Sequence, residues 1–586
     1  MKRSLAIVLA AALLVTFVAA CGSTSSLTSA QSTQSTVEEA PASQAEEASV
    51  QAAEADAEVA QTEEEEELQT EPGIEPETEP EGEPETEAVT LYPFSDDTIE
   101  LTMFLNVGDF LFQFLDETGD MSVIPALAAA AEATNVHINY SPINQSTYTD
   151  EFNLMIASQN YYDMIANLGA CYSGGIDAAV NDEVALDITE LMPTYAPDYL
   201  AYLDEHPTVK KSITSDEGRI IGFYQMSTGI IIGPAIRSDW LREMNMEIPK
   251  TYDELHDALS GFKNQFGADM PMSFSAQGFF DSTASDFFTD GFGITATSEG
   301  DFGWFAENGN VQMSEITDGM LEYLTMARQW ADEGLINMDA ISLSGQDKTK
   351  MQESGRTGFF TCNVSTMTDD YNATYGIEIV PMADVSKTGN DVLACGKVSG
   401  GASTNQSLGI CAVNNNPEAC LAFLNWFYTE DGIFTSNWGV QGEAYDLDEN
   451  GEPYLTDLIL NNQENPMPSF ILLALYTCWI DWPMVVLPER DAAQYVSEAQ
   501  VAAYGLWSEN KSEANVYYGE MTADEASVYG SIAGDIYTYC NECILQFIFG
   551  GMELNQWDAY VQNVKDMGAE QLIEIKQAAY DRYMSR

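Results

Sequence analysis

Short apolar segments alternate with helix-like segments at the start of the part of the chain that follows residue 98. Val136–Tyr140 alternates apolar and polar residues, and Ile99–Leu105 and Tyr162–Asn167 are comparable short runs, so all three predict strands. Between them, Val123–Thr134 and Tyr148–Ser158 carry apolar residues at helical spacing. Strands that alternate with helices in this way predict α/β layers over a parallel sheet.

Three later helices have clear boundary signals. Thr251 and Glu254 form a capping-box pattern ahead of an apolar helical face. Asn416, followed by proline, predicts the start of a second helix. A third helix is predicted over 317–333 and is stopped by Gly334.

The first residues have the pattern of an export signal. Lys2 and Arg3 are followed by an uncharged, alanine-rich run from Leu5 to Ala20, which is short for a membrane-spanning helix. The small residues before Cys21 resemble a bacterial lipobox, and this resemblance implies cleavage before Cys21 and a lipid on its thiol. Residues 1–20 are therefore predicted to be a lipoprotein signal peptide. An ordinary signal followed by a chance cysteine is the alternative.

Residues 21–97 have the composition of a disordered tether. From Gly22 to Glu87 the segment is mainly Ser, Thr, Gln, Ala, Glu and Pro, with an unbroken acidic run at Glu63–Glu67. Such a segment buries too little apolar surface to offset the entropy of ordering. Repulsion between like charges and the proline residues keep it extended. We expect a spacer that holds a folded body away from the membrane, with an interaction tail as the alternative.

The folded body spans residues 98–586 and is strongly acidic. Its length exceeds that of a single core and predicts two or three domains. The formal charge of the whole chain is −73, and no Lys or Arg occurs between Arg3 and Lys210. Nucleic acid is excluded as a partner, because its binding needs a basic surface.

Metal and catalytic motifs are weak in this chain. Cys540 and Cys543 form a Cys-x-x-Cys pair inside an apolar helical pattern, but the chain has only 3 His, so buried thiols are the favoured interpretation. Disulfides among the body cysteines stay open. Asp446–Gly451 with Asp457 fits part of a calcium loop, but a β-hairpin with an Asn-Gly turn is favoured. We predict no catalytic residue, no metal and no cofactor.

Several segments, taken in order, carry a resemblance that covers the whole body. They are similar to extracellular solute-binding proteins of the sugar-binding, ABC-transporter type, in the large lipoprotein branch found in Firmicutes. The segments are Asp216–Phe223, Ile236–Leu241, Ile248–Leu255, Ala327–Asn337, Asn416–Ala419, Leu424–Gly432, Trp438–Gly439 and Gln577–Tyr583.

The resemblance implies a two-lobed, periplasmic-binding-protein-like (Venus flytrap) α/β fold with the ligand between the lobes. Residues 98–226 and 388–440 would form lobe 1, and residues 227–387 and 441–586 would form lobe 2. The chain would cross between the lobes near 224–229, 381–391 and 438–445. Closure of such a fold is stabilised by a ligand that contacts both lobes.

The candidate binding residues come from three arguments. Ligands of open α/β sheets bind beyond the carboxyl ends of strands, which indicates Asn106, Asp109, Asn167 and Tyr172. The resemblance adds the positions Tyr224, Gln225, Gln277, Phe279 and Asn363. Sugars stack on aromatic rings and bind carboxylates, which indicates Trp479, Asp481 and Trp482, with Trp438 at a predicted crossing. Packing in the core is the alternative for the three tryptophans.

The sequence therefore predicts a lipid-anchored protein on the outer face of the cell membrane. It would capture a small solute, which we expect to be a neutral oligosaccharide, and deliver it to the permease of an ABC transporter without chemical conversion. A peptide or another polyol is the alternative solute. The lack of basic residues in the first lobe's loops argues against anionic ligands. A carbohydrate-binding sensor or adhesin and a secreted glycoside hydrolase are the alternatives.

Overall fold

A computed structural model describes the body of the chain. The described residues are 91–112, 115, 120–227, 232–273, 289–295, 302–339, 345–389, 401–462, 469–478, 482–509 and 519–586. The predicted signal peptide, with Cys21, and nearly all of the predicted tether lie outside them.

The strands of the described residues are given first, in chain order. They are β1 (Ile99–Val107), β2 (Val136–Asn144), β3 (Met164–Ala166), β4 (Gly222–Ser227), β5 (Ile232–Arg237), β6 (Met270–Met272), β7 (Trp304–Glu307), β8 (Asn310–Met313), β9 (Thr357–Asn363), β10 (Ile379–Pro381), β11 (Gly401–Ile410), β12 (Tyr445–Leu447) and β13 (Pro453–Leu455).

The helices surround these strands. They are α1 (Asp109–Phe112), α2 (Pro125–Thr134), α3 (Tyr148–Ser158), α4 (Leu168–Cys171), α5 (Gly175–Asn181), α6 (Met192–Tyr195), α7 (Pro197–Glu205), α8 (Pro207–Ile213), α9 (Ser238–Glu243), α10 (Tyr252–Phe266), α11 (Asp318–Asp332), α12 (Gly345–Glu353), α13 (Asp369–Tyr375), α14 (Pro417–Asn425), α15 (Glu430–Trp438), α16 (Asp457–Leu460), α17 (Ser469–Ala474), α18 (Pro488–Ala493), α19 (Glu498–Glu509), α20 (Ala523–Phe549), α21 (Trp557–Asp566) and α22 (Ala569–Ser585).

The first sheet has the strand order β2-β1-β3-β11-β4. β1 pairs in parallel with β2, in a register that sets Ile99 against Val136, and in parallel with β3. β11 is antiparallel to both β3 and β4. The strand–helix alternation predicted over residues 99–167 is therefore confirmed.

The second sheet has the strand order β10-β5-β9-β6. β5 is antiparallel to β9 and β10, and β6 is parallel to β9. The indole of Trp507 on α19 lies against β5, where a Cβ on Gly233 would stand 2.2 Å from the ring. Only glycine leaves room for the ring at this point. The Trp507 Nε1 donates to the carbonyl of Met382 at 3.2 Å.

The helix boundaries predicted from capping signals are confirmed. Thr251 and Glu254 form both bonds of the capping box at the start of α10. The side chain of Thr317 caps α11, and Gly334 follows this helix with φ +69°. Buried apolar positions on one face hold each helix against a core, since intrinsic helix propensity alone contributes little.

Separate clusters of buried side chains form around the two sheets. The first core combines β1 to β4, β11 and α14 with residues 474–478 and 482–486. The second core combines α10, α11, α20, α21 and the β7–β8 hairpin. The lobe boundaries drawn from the sequence stay a prediction, and the last of them assigns everything after residue 440 to lobe 2. Residues 482–486 nevertheless pack into the first core, since Met484 and Val486 lie against β4.

The structure describes both segments for which the sequence offered a metal-binding alternative. Residues 445–455 form the β12–β13 hairpin, and the carboxylate of Asp448 accepts the main-chain N–H groups of Asn450 and Glu452. Cys540 and Cys543 lie buried on α20. Across the described ranges, no group of three His, Cys, Asp or Glu residues is placed to hold a metal ion. None of the helices in these ranges is both long and apolar enough to cross a membrane.

Candidate functional site

Four strands of the first sheet end at the same edge. β1, β2 and β3 are parallel, and β4 runs in the same direction because β11 is antiparallel to both β3 and β4. Asn106, Asn167 and Gln225 lie at or just after the carboxyl ends of β1, β3 and β4. The sequence predicted these residues as binding candidates, and the topology brings them to one edge. Such an edge is where open α/β sheets bind ligands.

Asn167 fixes the end of β3 against β11. Its backbone is left-handed with φ 52°, a conformation that asparagine tolerates better than most residues. Its N–H donates to the carbonyl of Ser407 at 2.8 Å, and its Oδ1 accepts the Ser407 N–H at 3.3 Å. Only 3% of Asn167 is exposed. Asn167 therefore positions the strand ends, and Ser407 is a site-edge residue that the sequence analysis missed.

Gln225 joins the end of β4 to a distant segment. Its Nε2 donates to the carbonyl of Trp482 at 3.1 Å. Main-chain bonds from Met226 to Met484 at 2.7 Å and from Val486 to Met226 at 2.9 Å continue this contact. Residues 482–486 therefore run alongside β4, as an additional edge of the first sheet.

Asn437, at the end of α15, holds the other side of this segment. Its Nδ2 donates to the carbonyl of Val485 at 2.8 Å, and its Oδ1 accepts the N–H of Leu487 at 3.0 Å. An asparagine can satisfy a donor and an acceptor of one passing strand at once. Nothing in the local sequence pattern indicates this role, because the partners lie about fifty residues away.

Asn106 offers an acceptor at the end of β1. The residue is half-buried, and its Oδ1 is inaccessible to solvent with no hydrogen-bond partner among the described residues. Buried polar atoms of native proteins are nearly always paired, so an exception at a strand end calls for an explanation. A solute hydroxyl would supply the missing bond only after the residues that now cover this oxygen move.

The second sheet contributes a corresponding edge. Asn363 ends β9, Ser273 follows β6, and β5 begins beside them at Ile232. Only residues 228–231 separate Ser227, at the end of β4, from Ile232, at the start of β5. At about 3.8 Å per residue step, the Cα atoms of Ser227 and Ile232 are therefore at most about 19 Å apart. The Ser273 Oγ is buried and has no partner in the described part of the chain. The Oδ1 of Asn363 accepts the Ser365 N–H at 2.9 Å.

Both tyrosines predicted for the site lie among the described residues. The Tyr172 hydroxyl donates to the Asp182 carboxylate at 2.8 Å, and desolvation together with this bond raises its pKa to about 12. Tyr224 is 4% exposed, and burial raises the pKa of its phenol well above the usual range, with a smaller contribution from the negative charge of Glu520. The Tyr428 hydroxyl donates to the Tyr224 carbonyl.

The tryptophans that the structure describes are covered by protein. Trp482 is 1% exposed and packs edge to face on Phe427, with ring centroids 5.2 Å apart. A small apolar cavity beside it has room for about one water molecule. Trp438 is 3% exposed and packs with Ala444 and Leu455 in a small cluster of its own. Ligand contact by either ring stays a prediction.

The remaining predicted residues lie outside the described parts of the chain. They are Gln277, Phe279, Trp479 and Asp481, and the side chain of Asp109, whose backbone begins α1.

A family model described as bacterial extracellular solute-binding protein matches residues 126–442, which is more than half of the chain. The chain belongs to this family. The matched region of this solute-binding protein includes the ends of β3, β4 and β9, as well as β11 and Asn437.

Two curated relatives cover most of the body. The protein is 24% identical to the fructooligosaccharide ABC transporter substrate-binding protein FusA of Streptococcus pneumoniae over 483 residues, 77% of this chain and 86% of FusA. It is 23% identical to the lipoprotein LipO of Bacillus subtilis over 366 residues, 58% of this chain and 67% of LipO.

A solved structure shares the fold of this solute-binding protein. The solute-binding protein of Bifidobacterium longum infantis associated with an HMO-binding ABC transporter superposes with a TM-score of 0.67 at 15% identity, covering 83% of this chain and 99% of that one. The family resemblance and the two-lobed α/β fold class expected from the sequence are both confirmed. Proteins of this family bind solutes.

Proposed function

We propose that this protein captures a neutral oligosaccharide between its two sheet edges and delivers it to the permease of an ABC transporter. Family membership supports capture of a solute. The relative FusA is named as a substrate-binding protein of a fructooligosaccharide ABC transporter. This name supports both the solute class and the delivery step. No bond of the solute is made or broken in this proposal.

The character of the strand ends is the observation that carries the solute class. Asn106 and Asn363 lie half-buried at the ends of β1 and β9, and Ser273 lies half-buried just after β6. Amides and hydroxyls both donate and accept hydrogen bonds, as the hydroxyls of a neutral sugar do. Recognition of a carboxylated sugar would instead call for arginine or lysine. No Lys or Arg lies between Arg3 and Lys210, so the segments that directly follow β1, β2 and β3 contain no cation.

We further propose that the body is tethered to the outer face of the membrane by a lipid on Cys21. The basic, apolar and small-residue pattern before Cys21 supports export. Similarity to LipO, a lipoprotein by name, supports the anchor. One lipid chain binds membranes only marginally, so the diacylglycerol implied by the lipobox fits a stable anchor.

Thermal unfolding against a panel of solutes tests the function. The chain from Gly22 onward is mixed with neutral fructo-, gluco-, galacto- and manno-oligosaccharides, with oligogalacturonates, and with short peptides. A solute at one hundred times its dissociation constant stabilises the protein by about 2.7 kcal/mol, which raises the melting temperature measurably. We expect a rise with one neutral oligosaccharide class and recovery of that sugar unchanged by chromatography.

Other outcomes contradict the proposal in distinct ways. A rise with oligogalacturonates alone would exclude the neutral solute, and a rise with peptides alone would exclude the carbohydrate. Consumption of the sugar would indicate an enzyme. For the anchor, Cys21→Ser should move the protein from the membrane fraction to the medium, and an unchanged distribution would exclude lipidation at Cys21.

A further inference from the structure

A cluster of charged side chains connects the end of the chain to the first core. Asp216 lies in the turn between Ile213 and Ile220, both of which are buried in that core. Its Oδ2 accepts from Arg582 Nε at 2.6 Å, and its Oδ1 accepts from Arg586 Nη2 at 2.5 Å. Both arginines are at the end of α22, a helix that begins in the second core. One carboxylate is thus held by two cations that belong to the other core.

The second core holds Arg582 firmly in place. Its Nη1 and Nη2 donate to the two oxygens of Glu525 at 2.8 and 2.6 Å, a bidentate pair. Its Nη2 also donates to the carbonyl of Glu520 at 2.9 Å. Glu525 caps the start of α20, which is packed in the second core. We call Asp216, Arg582, Arg586 and Glu525 the Asp216 clamp.

Neighbouring contacts show that the two surfaces meet closely. A Cβ on Gly174, at the start of α5, would lie 2.7 Å from the Cβ of Ala523, so the backbone here leaves no room for a larger residue. The ammonium of Lys211 on α8 lies 4.6 Å from the ring centroid of Tyr583 on α22. These contacts and the Asp216 clamp connect the two cores.

The Asp216 clamp is also partly desolvated. The side chains of Asp216 and Arg586 are 22% and 15% exposed, so salt and water screen this pair less than a fully exposed one. Removal of Asp216 takes this carboxylate from two cations, which costs more than loss of an exposed ion pair. The Asp216 clamp therefore stabilises the arrangement of the two cores in which its four residues are in contact.

We propose that the Asp216 clamp is a latch between the two lobes, which sets the balance between their arrangements and so the affinity for solute. A residue that contacts no solute can change affinity in this way, because the apparent dissociation constant depends on the fraction of protein in the binding arrangement. This inference rests on the proposed function only for its affinity measurement.

Three variants and one control test the latch. Asp216→Asn and Arg586→Gln each break the ion pair between Asp216 and Arg586. The third variant combines the two substitutions. Arg219→Gln is the matched control, because Arg219 lies in the same turn but pairs with Glu217 and bonds to Asn181, on the first core's own side. X-ray scattering without solute measures the lobe arrangement, and calorimetry measures the dissociation constant for the oligosaccharide found by the panel.

We expect both single variants to change the dissociation constant by about fivefold or more in the same direction. The dissociation constant of the double variant should differ little from that of Asp216→Asn alone, because the two substitutions break the same ion pair. The radius of gyration without solute should change in the same variants and stay at the wild-type value in Arg219→Gln.

Wild-type scattering and wild-type affinity in all three variants, with a lowered melting temperature, would overturn the latch and leave the Asp216 clamp a static support. Should the panel show no oligosaccharide, the scattering comparison alone decides the latch. Failure of the proposed function is therefore distinguishable from failure of this inference.

Discussion

The side-chain amide of Gln225 donates to the main-chain carbonyl of Trp482 at 3.1 Å, although the two residues are 257 positions apart in sequence. Gln225 is at the end of β4, and Trp482 begins the segment that runs beside that strand. Both residues are almost fully buried. The bond therefore ties a strand end of the candidate site to a segment from the last quarter of the chain.

Replacement of Gln225 by alanine should destabilise the protein by about 1–3 kcal/mol, because a buried carbonyl loses its donor. Urea unfolding followed by circular dichroism measures this difference. Gln562→Ala is the control, since Gln562 is exposed and bonds to Asp566 within its own helix. The control should cost less than about 0.5 kcal/mol. Equal costs for the two variants would show that the bond to Trp482 contributes nothing specific.

Asn106→Ala should leave stability nearly unchanged and weaken solute binding. The Asn106 Oδ1 has no partner among the described residues, so its removal breaks no bond of that oxygen in the solute-free protein. Loss of one bond to a solute hydroxyl, worth about 1.4 kcal/mol, raises the dissociation constant about tenfold.

Titration calorimetry with the oligosaccharide identified by the panel measures the change at Asn106. Asn139→Ala is the matched control on β2, because Asn139 bonds to Glu100 at 3.1 Å on the exposed surface. Unchanged affinity in Asn106→Ala would remove this residue from the binding site.

Local signals predicted the elements well. The capping box at Thr251 and Glu254 carries its own partners within three residues, so the sequence alone indicates the start of α10. Strand ends are equally local, which is why the residue pattern alone indicates Asn106 and Asn167. Long-range partners have no such signal, since Ser407 and Trp482 approach the site only when distant segments pair in the sheet.

For Trp482, local sequence patterns did not distinguish ligand binding from packing in a core. An aromatic side chain near a carboxylate has the same local pattern in a binding loop and in a core, so composition does not separate the two for Trp482. Burial in the first core depends on Phe423 and Phe427, more than fifty residues earlier. The contacts of the Asp216 clamp also could not be predicted from local sequence patterns, because its two arginines are about 370 residues from Asp216.

Substitutions at Trp482 should separate packing from recognition. Trp482→Ala removes a ring that is 1% exposed, and such truncations cost about 3–5 kcal/mol. Trp482→Phe should cost less, because the indole Nε1 is without a hydrogen-bond partner in the described structure and no bond is lost there. Urea unfolding gives both values, and calorimetry gives the affinity of the folded Phe variant. Near-wild-type stability of Trp482→Ala with strongly reduced affinity would instead place the ring in contact with solute.

Alkaline pH should unfold the protein cooperatively. Burial raises the pKa of Tyr199, Tyr428 and Tyr560 well above the usual value for a phenol. The folded state thus keeps protons that the unfolded chain loses near pH 10, so stability is full below about pH 10 and falls as pH rises further.

Absorbance of phenolate at 295 nm and circular dichroism, recorded between about pH 8 and 12.5, measure this transition. In urea, all tyrosines should ionise near pH 10, their ordinary value. In the native protein, a large part of the absorbance change should come later and coincide with loss of the helical signal. Complete ionisation near pH 10 with the helical signal intact would contradict the burial of these three phenols.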